Sequence, residues 1–303
     1  MEAVRFPRIG LDRQLLVLVS VLFGLAAVGW LVTDERMGGM DAGPGTDLGA
    51  FGFYVTAWVV MMAAMMFPSV APMVVAYSRI HRRRAKLGRT SAEPGATALF
   101  VAGYLSSWAA FGAGAYVLFA FARSLEIDTF SWHNGGPYLA GAIISAAAVY
   151  QLTPMKDVCL RKCRGPLDFI LGYWRNGYWG ALRMGAEHGL WCVGCCWALM
   201  AALFALGVMS LGWMVFVAAL IATEKLLPWK AVANRGIAIL LVVLGVSVAF
   251  WPERVPGLTL PDSPRAAAAM RSMGMDRGKS GPEMDDKGPT GKPAAGMKMD
   301  GGR

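Results

Sequence analysis

Three of the chain's five cysteines fall within five residues, Cys192-Val-Gly-Cys195-Cys196, and one of its three histidines, His188, lies one helical turn before them. On an α-helix, residues three or four apart share a face. One stripe then carries Met184, His188, Cys192, Cys195 or Cys196, and Met200. That is a ladder of thioether, imidazole, thiol, thiol and thioether. Soft donors of this kind select Cu(I), with zinc second. A lone cysteine is most often a small core residue. Three in five positions, with a histidine a turn away, point to metal binding or thiol chemistry instead.

Two further groups could share that chemistry. Cys159 and Cys163 are spaced C-x₃-C among Lys156, Arg161, Lys162 and Arg164. One helical turn puts both sulfurs on one face, and the neighbouring cations favour thiolate. Met61, Met62, Met65 and Met66 precede Pro68. Met61 shares a face with Met65, and Met62 with Met66; alone, such a cluster reads as gap-filling beside a proline kink. The candidate metal ligands are therefore Cys159, Cys163, His188, Cys192, Cys195, Cys196, Met61, Met62, Met65 and Met66. They suggest a path along which Cys159 and Cys163 capture, His188 and Cys192 pass, and the remaining sulfurs hold or release. A zinc site wants four N/S ligands around one point, which would leave the thioethers idle. No C-x-x-C-H haem signature occurs.

The chain shows no nucleophile–base–orienter set and no phosphate-binding Gly loop with Lys. It is expected not to be an enzyme and not to drive transport with ATP. The enzymatic alternative is a membrane thiol oxidoreductase built on Cys192-x-x-Cys195. A third reading is a membrane scaffold with structural cysteines.

The elements that must position these residues follow from composition. The chain is 56% hydrophobic and 16% charged, and its long uncharged runs define a polytopic, all-α transmembrane bundle. Seven spans are expected, at about 14–33, 50–78, 95–121, 137–154, 186–207, 210–228 and 236–251, within a helical domain of residues 1–252. The first span follows Arg5, Arg8 and Arg13 and lacks a clear cleavage site, so it is expected to be retained. The run 189–223 is too long for one span, and Gly207-Val-Met-Ser-Leu-Gly212 can turn it into a hairpin. Glu187 and His188 then share a membrane face with Glu224 and Lys225, which could form an ion pair across the hairpin. Residues 167–183 mix aromatics with charges and suit an interfacial segment.

The densest basic run, Arg79 to Arg89, marks a cytoplasmic loop in which His81 reads as a solvated residue. Alternation from it places the N-terminus in the cytoplasm and the C-terminus outside the cell membrane, with every strongly basic loop on one side. The loop with Glu126, Asp128 and His133 falls outside. The net charge of +9 is thus assigned to topology, and no nucleic-acid partner is expected. Residues 253–303 form a Pro-, Gly- and Met-rich tail expected to be disordered, with Met273, Met275, Met284, Met297 and Met299. The partners expected are the lipid bilayer, a metal ion, and a copper-donating or copper-accepting protein.

At these blocks the chain resembles a family of predicted metal-binding integral membrane proteins, domain of unknown function 2182, often labelled copper chaperone. The resemblance lies in Met61-Met-Ala-Ala-Met-Met-Phe-Pro-Ser69, in Lys156 with Cys159-Leu and Cys163-Arg, and in Gly185-x-x-x-Gly189-x-x-Cys-Val-Gly-Cys-Cys-Trp-Ala-Leu-Met200. It continues through Leu203-Phe204, Gly207-Val-Met-Ser210, Met214 and Glu224-Lys225, and so covers roughly residues 50–235. The resemblance implies metal binding. It does not extend to the basic N-terminus or the Met-rich tail.

Overall fold

Apolar runs of bilayer length must satisfy their backbone hydrogen bonds internally, and helices do so within one segment. The structure, a computed structural model, describes residues 13–37, 41, 49–89, 93–124, 132, 135–208, 210–227, 229–261 and 263–272. Among these there are ten α-helices and no strand. They are α1 (Arg13–Met37), α2 (Phe51–Lys86), α3 (Ala96–Ser124), α4 (Gly136–Gln151), α5 (Pro154–Arg164), α6 (Pro166–Gly172), α7 (Gly177–Leu206), α8 (Leu211–Leu226), α9 (Lys230–Phe250) and α10 (Pro264–Ser272). The basic start at Arg5 and Arg8, the loop residues Glu126, Asp128 and His133, and the methionines from Met273 onward lie outside the described residues.

Five helices, α1, α2, α3, α7 and α9, are each long and apolar enough to cross a membrane. A sixth span arises only if α4 and α5, bent by 68° at the break between them, count as one. The runs at 137–154 and 210–228, read above as spans, form helices of 16 residues each. Such a helix is about 24 Å long, short of the roughly 30 Å hydrocarbon core.

Several boundaries differ from the sequence reading. The hairpin turn falls where the glycines put it, with Gly207 at φ 110° closing α7. But α7 begins at Gly177, well before the expected 186, and α2 runs on to Lys86 through Pro68 and Pro72. His81 is therefore a buried helical residue and not a solvated loop residue. Its ring stacks on Tyr77 and Trp174, and the Arg84 guanidinium lies over the Trp174 ring. Part of the stretch expected as tail is packed against the bundle. Val255, Thr259, Ala266 and Ala269 are buried, and the Trp213 indole donates to the Gly257 carbonyl.

The core is centred on α7, which packs on α3, α4, α5 and α8. Its closest neighbour is α3. Gly185 and Gly189, one turn apart, lie against Phe100 and against Tyr104 and Ser107 respectively, and Gly103 of α3 lies against Leu182 and Ala186. A Cβ on Gly185 would collide with the Phe100 carbonyl, and one on Gly189 would stand 2.7 Å from the Ser107 Cβ. Ser107 Oγ donates to the Ala186 carbonyl at 2.8 Å across this contact. Small residues that let backbones meet are the main packing device available in lipid. On the side of α2, large groups fill the space instead: Trp58 stacks on Phe204 at 5.6 Å, and Met61, Met62, Met65 and Met66 are all buried.

Gly185→Ala should lower the thermal stability of the detergent-purified protein, by at least the ~1–3 kcal/mol typical of overpacking. Gly24→Ala, where an added Cβ meets nothing within 4 Å, should match or exceed the parent. Equal melting of the Gly185 variant and the parent would contradict the close α3–α7 contact.

Candidate metal centre

Cys192 stands midway along α7, 15 residues from Gly177 and 14 from Leu206. Cys192, Cys195 and Cys196 are all buried. They face inward because Gly185 and Gly189, on the same helix, fix the rotation of α7 against α3. What completes the cluster comes from α5. This helix opens with Thr153 accepting from the Lys156 amide and Pro154 in the first turn, then folds back onto α7. Its inner face carries Lys156, Cys159, Leu160 and Cys163 at helical spacing.

The inward turn places Cys163 Sγ 3.6 Å from Cys195 Sγ. The sulfurs of Cys163, Cys192 and Cys195 all lie within 4.8 Å of one another. With metal–sulfur bonds of about 2.3 Å, three thiolates around one ion stand ~4.0 Å apart. The trio therefore fits a single soft ion with little rearrangement. Cys196 Sγ is 3.3 Å from Cys195 Sγ but falls outside that mutually close group. All five cysteines are free thiols.

Polar groups from three other helices close the site. Tyr104 of α3 has its hydroxyl 3.1 Å from Cys192 Sγ. Lys225 of α8 points its Nζ at Cys192 Sγ, 3.0 Å away, and at Ser69 Oγ of α2, 3.5 Å away. Ser69 Oγ in turn donates to the Met66 carbonyl. The methionine quartet thus begins less than one turn from the residue that meets Lys225.

The other predicted ligands are placed differently. Cys159 packs on Gly194 of α7, where a Cβ would stand 2.8 Å from its sulfur; it is not in the trio. His188 sits one turn before Cys192 in an aromatic box of Phe100, Tyr104 and Phe169, with ring centroids 6.2, 5.8 and 5.1 Å away. Its Nδ1 is buried with no hydrogen-bond partner among the described residues. Met184 Sδ accepts from the Arg175 amide at 3.3 Å. Within residues 167–183, Phe169 and Ile170 are buried in the bundle while Leu167, Leu171, Tyr178 and Trp179 are exposed.

Five residues that shape the site, Tyr104, Ser69, Lys156, Glu224 and Lys225, were not among the candidate ligands. Tyr104 carried no signal in its neighbourhood. Ser69 was visible only as the end of the methionine block. Lys156 with Glu224 was visible as charge in an apolar setting, which usually marks function or pairing, but the partner was misread. Glu224 does not pair across the hairpin. It takes the Lys156 ammonium at 2.7 Å, both side chains being 1% exposed, and Lys156 also meets Gln151. Glu187 pairs with Arg175 and Arg183 at the surface instead.

The fold and the site together define a helical protein of membrane type with a buried thiol cluster at its centre. A family model described as PpoB2 copper chaperone matches residues 55–248, from the first turns of α2 to the end of α9 and including every cysteine. The chain belongs to this family, the one its cysteine and methionine blocks resemble. Searches among curated proteins and among solved structures find no match.

Removing one member of a buried ion pair strands the other and costs about 3–5 kcal/mol. Lys156→Met should therefore free α5, measured as faster maleimide labelling of Cys163, which is half-buried in the parent. Lys156→Met combined with Glu224→Gln should recover much of the lost stability.

Proposed function

We propose that this protein binds Cu(I) through Cys163, Cys192 and Cys195 and hands it on. The observation that carries the reading is the trio itself: three sulfurs from two helices, within 4.8 Å of one another in a buried setting. Thiolate donors are the soft ligands that favour Cu(I), and membership of a family described as copper chaperone supports the same metal.

Handover proceeds by exchange between neighbouring sulfurs. Cys163 is the half-buried member and receives the ion from a donor protein that docks at the basic α5. Cys196, 3.3 Å from Cys195, is the next soft donor, and the α2 methionines are the candidates that follow it. The chain acts as a carrier and not as an enzyme. In this reading α1–α4 and α7–α9 all traverse the cell membrane, with α4 and α8 accommodated by local thinning. Clustering of Arg79–Arg89 and the basic residues of α5 on one side supports a cytoplasmic N-terminus and an outer C-terminus.

The test is the copper content of protein purified without oxygen. Cys163→Ser, Cys192→Ser and Cys195→Ser should each lose most of the bound copper, whereas Cys159→Ser should keep it. Copper unchanged in the triple variant would end this reading. Thiol oxidation is the second reading, favoured by the 3.6 Å between Cys163 and Cys195. A redox titration that yields that disulfide in a protein without metal affinity would select it.

A further inference from the structure

The sulfur trio offers three donors, and one feature of its surroundings bears on which metals three donors can hold. Lys225 is directed into the cluster, its Nζ 3.0 Å from Cys192 Sγ. Cys195, Cys196 and Tyr104 also lie within its electrostatic reach. The adjacent carboxylate is no counter-charge for it in close contact, because Glu224 is committed to Lys156 at 2.7 Å. Among the described residues, the polar atoms within hydrogen-bonding distance of the Lys225 ammonium are Cys192 Sγ and Ser69 Oγ.

An ammonium has three donors and no lone pair. It lies against one sulfur of the trio, that of Cys192, and it cannot itself ligate. Cys196, whose sulfur is 3.3 Å from that of Cys195, lies outside the group in which every pair is within 4.8 Å. Structural zinc is almost always held by four ligands in a tetrahedron. Cu(I) is satisfied by three thiolates, or by two.

We propose that Lys225 is the specificity-determining residue of this centre: by filling the fourth quadrant with a cation that cannot coordinate, it holds the site to three sulfurs and so admits Cu(I) while rejecting zinc. This inference rests on the Cu(I) reading above and adds the means by which the competing metal is refused. Lys225 acts on the metal through the space it occupies beside Cys192, without being a ligand.

The experiment uses the full chain in detergent, without oxygen, loaded from equal concentrations of Cu(I) and Zn(II). Metal content is read by elemental analysis and coordination number by X-ray absorption. The parent and Lys225→Arg should take up copper on three sulfurs and exclude zinc. Lys225→His, which offers a neutral nitrogen from the same position, should gain zinc by about tenfold or more, in the range that outer-shell changes produce, and with four-coordinate geometry. Lys225→Cys provides the same test with a fourth thiolate should the histidine variant fail to fold. Variants that keep copper but gain no zinc overturn the inference and leave the Cu(I) reading intact. Zinc uptake by Lys225→Arg, or four-coordinate zinc in the parent, also overturns it. A parent that takes up no copper overturns both.

Discussion

A lysine and a glutamate, each nearly inaccessible, cannot remain apart inside an apolar bundle. Lys156 lies on α5 and Glu224 near the end of α8, and their 2.7 Å contact fixes where α5 rests. Desolvating two charges is expensive, and the attraction between them offsets this only when geometry is good. Here Gln151 adds a further partner. Once Lys156 is held, the same helical face must carry Cys159 and Cys163 onto α7. The position of the third sulfur is therefore a consequence of electrostatics two turns away along α5.

The opposite wall of the site is set by steric exclusion. Gly185 and Gly189 let α7 touch α3 with no side chain between them, which brings the Tyr104 hydroxyl to Cys192. Toward α2 the spacing is set by larger groups, Trp58, Phe204 and the methionines. Methionine is flexible and polarisable and fills irregular space well. The same residues thus satisfy packing next to Ser69, whose hydroxyl meets Lys225. Lys225 reaches across from α8 to join this wall, tying α7 and α2 together through Cys192 and Ser69.

Much of this was legible in the chain. Uncharged runs located the long helices, glycines located the hairpin turn, and the spacing of Cys192, Cys195 and Cys196 marked the centre of α7. The break before Pro154 was legible as a loop, but not as the start of a helix that turns inward. That depended on Lys156 finding Glu224, 68 residues later, and no periodicity encodes such a pairing. His81 was misplaced for a related reason: its surrounding arginines imply water, whereas the stacking of Tyr77 and Trp174 buries the ring. Cys159 and Cys163 share a helical face, yet the Cys159 sulfur packs on Gly194, where an added Cβ would stand 2.8 Å away, and this gives them different surroundings. Only the depth of contact between α5 and α7 separates the two.

The Lys156–Glu224 pairing also constrains how the molecule can be made. The pair joins a residue of α5 to one that follows almost the whole of α8 in the chain. While the ribosome has not yet released residue 224, Lys156 lacks its carboxylate partner, and α5 lacks that hold on the place of Cys163 beside α7. The thiols on α7 are synthesised earlier but wait, incomplete, through the insertion of the next helix. A nascent chain is thereby kept from closing its sulfur trio until the surrounding bundle is nearly whole.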